Sequence, residues 1–165
     1  DYIIMSCSSN VVNTDQNILN ILTDVINKVD KRSSWNEYFM GNAIWVSTRS
    51  PSERLKVGAV IVKHNRILSA GYNGFPAGVP HISIMKDTHE QNTIHAEQNA
   101  ICDVGRRGGT KLFGSTIYIT HYPCINCCKA IIASGIKKVK YHKDYRNDPI
   151  VEQLFTASDI EIEKI

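Results

Sequence analysis

The sequence predicts a three-layer α/β/α fold with a mixed five-stranded sheet and an extra N-terminal helix. Three observations carry that expectation. The stretch "KVGAVIVKHNRILSAGYNG" reads as two strands joined by a tight turn at His64-Asn65-Arg66, an antiparallel hairpin. Downstream, the strand-like runs "STIYITHY", "KKVKYH" and "IEIEKI" alternate with the helical runs "CINCCKAIIAS" and "PIVEQLFTAS". The chain has 165 residues, 42% hydrophobic and 21% charged, which suits one soluble domain with a sizeable core.

Taken in order, residues 1–14 are expected to be disordered or a remnant of expression, with no methionine before Met5. An N-terminal helix is predicted over 15–33. It opens at Thr14 or Asp15 and carries Ile18, Leu22, Val25 and Val29 at helical spacing. That stripe suits either its own domain or a subunit contact. Residues 34–165 form the main domain. Its first helix starts at Ser34 with Glu37 three later, a capping box, and Pro51 closes it. After the hairpin comes a long irregular segment, "GYNGFPAGVPHISIMKDTHEQNT", of the kind that often serves function. A helix then begins near His95 and ends in the glycines Gly105 to Gly109. Pro123 opens the next helix, which stops at Gly135.

A net charge of +3 is too small to imply nucleic acid, and no basic face with interleaved aromatics accompanies it. No run reaches the ~18 apolar residues of a membrane span. The opening lacks the basic segment and long apolar core of a signal peptide. Of the five cysteines, Cys124, Cys127 and Cys128 cluster, whereas Cys7 and Cys102 stand alone. Without a secretory signal, such clustering favours a metal or reactive site in a reducing compartment, and a cytoplasmic location is expected.

Two short patterns carry chemistry. In "TIHAEQNAI", His95 and Glu97 stand two apart, a spacing that converges only at a helix's first turn. In "PCINCC", Cys124 and Cys127 lie three apart at another helix start, where the dipole favours thiolates and the spacing suits zinc. Cys128 points about 100° away from Cys127, so Cys128 and Cys102 are expected to be small buried residues. His95, Cys124 and Cys127 together make three zinc ligands with the fourth position open, the arrangement of a catalytic site. Glu97 is then the carboxylate that takes the proton of the zinc-activated water. The pairing of His-x-Glu with Pro-Cys-x-x-Cys is the pattern of the zinc deaminases of nucleobases.

On these residues, and on "VGAVIV", "GYNGFPAG" and "SGIKKVKYHKDYRND", the chain resembles the cytidine and deoxycytidylate deaminase superfamily. The likeness runs from about Trp35 onward and is greatest to deoxycytidylate (dCMP) deaminases of bacterial and viral type. The resemblance implies hydrolysis of dCMP to dUMP and ammonia, supplying thymidylate synthesis, with one Zn2+ per chain. It assigns zinc to His95, Cys124 and Cys127, proton transfer to Glu97, and substrate contacts to Asn73, Arg54, Ala96 and Tyr145. The alternatives are a turn residue for Asn73 and a solvated loop cation for Arg54. Regulation by dCTP and dTTP, with Mg2+ on the triphosphate, is implied through a loop containing Gly71, Tyr72 and Gly74, together with Arg106. The segment between Pro76 and His95 is short and has no cysteine, which departs from relatives carrying a second, structural zinc. A homo-oligomer, with a hexamer favoured, is also implied. Other readings are a deaminase of another cytosine nucleotide such as dCTP, or a non-catalytic, zinc-containing nucleotide-binding protein.

Overall fold

The computed structural model describes residues 32–86, 89–109 and 111–165. The leading residues 1–14, the expected helix at 15–33 with its Ile18, Leu22, Val25 and Val29 stripe, and Cys7 fall outside the described residues, apart from Arg32 and Ser33, which carry no regular structure. The described fold is the unit Trp35–Ile165.

Helix α1, Trp35–Ser47, leads to strands β1, Gly58–Lys63, and β2, Arg66–Tyr72. A two-stranded ribbon follows, β3 (Met85–Lys86) and β4 (His89–Glu90), before helix α2, Ala96–Arg106. Then come β5 (Thr116–His121), α3 (Ile125–Ser134), β6 (Lys138–Lys143), α4 (Pro149–Ala157) and β7 (Glu161–Lys164). The main sheet has five strands in the order β2-β1-β5-β6-β7. β1 is antiparallel to both β2 and β5, whereas β5, β6 and β7 run parallel. Parallel neighbours need a crossover connection, and α3 and α4 supply them. The expected mixed sheet is present.

The sheet separates two apolar clusters. On one side Phe39, Met40 and Ala43 of α1 meet Val60, Val62 and Tyr118. On the other, Ala59, Ile61, Ile117, Ile119 and Val139 pack with Ala96, Ala100 and Val104 of α2, Ile131 of α3, and Val151 and Phe155 of α4. β1 is therefore covered on both faces, and all its residues but Lys63 are buried. α1 approaches it so closely that a side chain at Gly58 would overlap Ala43 O and Ser47 N.

Local departures from the sequence reading have physical causes. The hairpin turn is two residues, His64 and Asn65, at φ 50° and 55°, and Arg66 already pairs with Lys63. α1 ends at Ser47, four residues before Pro51, in a turn held by Ser50 N donating to Ser47 O at 3.0 Å. The segment expected to be irregular contains the ribbon of β3 and β4, whose two-residue strands show no periodicity in sequence. Its closing group is Glu90, whose carboxylate accepts from Ser83 Oγ, Ile84 N and Asn92 N. Cys128 is buried as expected, but Cys102 is exposed. α2 buries Ala96, Glu97, Ala100 and Val104, and Cys102 lies about 200° around the axis from Ala100.

Candidate active site

α2 and α3 aim their N-termini at a common point. His95 is the residue preceding the first turn of α2, at φ −69° and ψ 152°, and Cys124 holds that place on α3, at φ −75° and ψ 167°. Both have extended backbone, and their carbonyls accept the first helical bonds, from Asn99 N and Cys128 N at 2.9 Å each. Neither side chain caps its helix, so both are free for the site. Pro123 is one residue outside the cap rather than in the first turn, and its burial fixes the chain's exit from β5.

His95 Nδ1 lies 3.5 Å from Cys124 Sγ and 3.4 Å from Cys127 Sγ. The three ligand atoms all fall within 4.8 Å of one another, the one such grouping among the described residues. Cys127 is fully buried, while His95 and Cys124 are solvent-accessible, so the site is open on one side. Two sulfurs and an imidazole nitrogen form a donor set suited to zinc.

The electrostatics agree with that donor set. The Cys124 thiol is pushed down to about 3, first by its hydrogen bond with Cys127 and then by His95. The same shared bond, together with burial, pushes Cys127 upward. The two sulfurs share one proton-bearing bond, and a dication held by the three donors would favour both as thiolates. Glu97, two residues beyond His95, is only 4% exposed and sits against Cys127, with burial raising its carboxyl above the usual range. A buried carboxyl is costly, and Glu97 is held by its backbone and by Cys127 beside the metal-type donor set.

The remaining sequence candidates fall around this centre in different ways. Ala96 is fully buried under the first turn of α2. The hydrogen bond with Cys124 raises the His95 imidazole above its ordinary value, and Arg54, exposed on the loop before β1, offsets a small part of that rise. Asn73 directs its amide at that same loop: Oδ1 accepts from Val57 N at 2.7 Å and Nδ2 donates to Leu55 O at 2.9 Å. Tyr145 stands edge-on to His121, the last residue of β5, with ring centroids 6.2 Å apart. Gly71 is needed where β2 meets α2, since a Cβ there would lie 2.5 Å from Ala96 O and Ala100 N. Gly74 exchanges backbone bonds with Ile94 at 3.1 and 2.8 Å, and the Tyr72 carbonyl accepts from Asn99 Nδ2 at 3.0 Å. Arg106 is exposed, while its neighbour Arg107 pairs with Asp103 at 2.6 Å and donates to Leu68 O.

Two buried hydroxyls escaped the sequence reading. Thr120 Oγ1 accepts from Gly58 N at 3.1 Å and lies 2.9 Å from His121 Nδ1, pinning the end of β5 that leads to Cys124. Ser50 Oγ donates to Asn73 O at 2.8 Å. No local pattern marks either, because Gly58 and Asn73 lie 62 and 23 residues away in the chain.

A mixed α/β/α fold with His95, Cys124, Cys127 and Glu97 at two convergent helix starts defines a hydrolytic enzyme of the zinc deaminase class. The model of the cytidine and deoxycytidylate deaminase zinc-binding region matches residues 33–143, and the chain belongs to that family. Its relatives include ComE operon protein 2 of Bacillus subtilis, 44% identical over 82% of this chain and 73% of that protein. The deoxycytidylate deaminase of Mycobacterium phage D29 is 40% identical over 68% of this chain and 98% of that one. Among solved structures, the dCMP deaminase of cyanophage S-TIM5 in complex with dCMP and dUMP matches with a TM-score of 0.73. It is 33% identical, over 82% of this chain and 99% of that one.

Proposed function

We propose that the chain hydrolyses dCMP to dUMP and ammonia. The observation that carries the reaction type is the buried Glu97 carboxylate beside the His95, Cys124 and Cys127 donor set at two helix N-termini. The cyanophage and mycobacteriophage relatives support the choice of nucleotide, as does the exposed cation Arg54, whose loop is tied to the chain just before His95.

His95, Cys124 and Cys127 would hold a zinc ion, which would make a nearby water acidic enough to give up a proton near neutral pH. Glu97 takes the proton that water loses as its oxygen bonds to C4 of the cytosine, and passes it to N3. Glu97 then moves the remaining hydroxyl proton to the exocyclic nitrogen, the C4–N bond breaks and ammonia leaves. Ala96, between His95 and Glu97, is buried in the core and lets the first turn of α2 pack close to β2 behind the site. Asn73 serves the sugar, Tyr145 closes the far side, and Arg54 meets the phosphate with a planar fork that matches two of its oxygens.

The same reading includes provision of dUMP for thymidylate synthesis and a cytoplasmic homo-oligomer, with a hexamer favoured. No described helix is long and apolar enough to cross a membrane. It also includes activation by dCTP with Mg2+ and inhibition by dTTP through the Gly71–Gly74 turn and Arg106. Turnover of dCMP, dCTP and deoxycytidine, before and after chelation, tests the reading. dCMP should be the preferred substrate, chelation should abolish its turnover, and added zinc should restore it. Preference for dCTP would reassign the substrate, and a zinc-loaded protein inert to all three would be a binding protein.

A further inference from the structure

The loop joining α1 to β1, residues 48–57, carries Arg54 in a run of side-chain hydrogen bonds that leaves it little freedom. Ser50 is only 4% exposed, and its Oγ donates to Asn73 O at 2.8 Å while accepting from Ser52 N at 3.2 Å. Ser52 Oγ in turn accepts from Leu55 N at 3.4 Å. From the other side Asn73 takes hold of Leu55 O, Val57 N and Val57 O. Arg54 is therefore flanked on both sides by residues fixed to the end of β2. The next residue, Gly74, is paired in turn with Ile94, immediately before His95. A continuous bonded path thus connects the arginine's loop to the metal-type centre.

A nucleotide gives that path a purpose. The distance from C4 of the base to the phosphate is limited by one sugar, so a site selecting a monophosphate must hold its cation at a set distance from the reacting atom. We infer that Ser50 is a positioning residue for phosphate recognition, its buried hydroxyl holding the loop so that Arg54 stands where the 5′-phosphate of a bound nucleotide lies. The inference rests on the dCMP reading above and adds a residue that touches neither base nor metal. Removing the hydroxyl leaves Ser52 N without its acceptor and Asn73 O without its donor, so the loop loosens on the Ser50 side of Arg54 while the Leu55 and Val57 side stays held.

Steady-state kinetics of zinc-loaded Ser50→Ala, Arg54→Ala and the double variant, on dCMP and on deoxycytidine, provide the test. Arg54→Ala should raise KM for dCMP by roughly thirtyfold and leave deoxycytidine turnover unaltered. Ser50→Ala should raise KM for dCMP by about fivefold, with kcat retained and a distinctly smaller loss on deoxycytidine, whose sugar meets Asn73 as well. In the Arg54→Ala background it should add nothing, because the group it positions is gone, and Ser50→Thr should restore the wild-type KM. An equal loss on both substrates from Ser50→Ala, or its full effect persisting in the double variant, overturns the positioning role while the phosphate reading stands. An equal loss on both substrates from Arg54→Ala overturns the phosphate reading and this inference with it. Should Ser50→Ala fail to fold, Ser52→Ala cuts the next bond in the run and must show the same substrate split. Its absence overturns the inference.

Discussion

Helices α2, α3 and α4 pack on the same face of the sheet, yet of these three only α4 begins with a side chain that caps it. Asp148 Oδ1 accepts from Ile150 N at 2.9 Å, and Pro149 occupies the first helical position. At the same place α2 has His95 and α3 has Cys124, with no side-chain cap on either. Serine or aspartate there is worth about 1 kcal/mol over a non-capping residue. Two helices forgo that gain, and both are the ones that meet at the metal-type centre. The free backbone N–H groups and positive helix ends instead favour the thiolates that a zinc site requires. α4 has no such duty, and it is built for stability.

Giving α3 the kind of start that α4 has is the most severe way to break this contrast. Cys124→Ser should make a better cap and a poorer ligand. Zinc content should collapse and deaminase activity disappear, while the melting temperature of the chelator-treated variant should equal or exceed that of chelator-treated wild type. A variant that keeps full zinc would place the third ligand elsewhere. Glu97→Gln probes the carboxylate that α2 buries. Turnover should fall by about 10²–10⁴-fold, with zinc content and fold retained, since an amide cannot relay a proton. Near-normal turnover in zinc-loaded protein would assign the proton transfer to another group.

The same contrast explains which parts of the molecule were legible in its sequence. His-x-Glu and Cys-x-x-Cys are local patterns at helix starts, so three ligands and a carboxylate could be grouped without any tertiary knowledge. The five main strands were legible because β1 and β5 are long apolar runs with turn residues at their ends. The exposure of Cys102 was not, because cysteine is commonly a buried residue type and only the angle from Ala100 turns this one outward. Nor was the clamp on the Arg54 loop. Asn73 meets Leu55 and Val57 only because β2 folds back beside β1, and the Ser50 hydroxyl acquires meaning only after that. Polar side chains that tie loops together carry no periodicity, so their partners become known only with the fold.

The mildest effect should come from the helix that stands apart from the chemistry. Asp148→Ala removes the one side-chain bond to the α4 start and leaves Ile150 N to water, since both residues are at the surface. The loss should be about 1 kcal/mol, or roughly 2–4 °C in melting temperature for a domain of this size. Asp148→Asn keeps an accepting oxygen and drops the charge, so it should recover most of that loss, and the remainder measures the helix dipole. Turnover of dCMP should be unchanged in both variants, because α4 contributes Val151 and Phe155 to the core and nothing to the three donor atoms. The turn before α4 supplies the one route by which this separation could fail. Asn147 Oδ1 accepts from Tyr145 N at 2.9 Å, and Tyr145 stands against His121. A rise in KM for dCMP with Asp148→Ala, reversed in Asp148→Asn, would show that the cap of α4 also steadies Tyr145. The three helix starts would then share one task instead of dividing it.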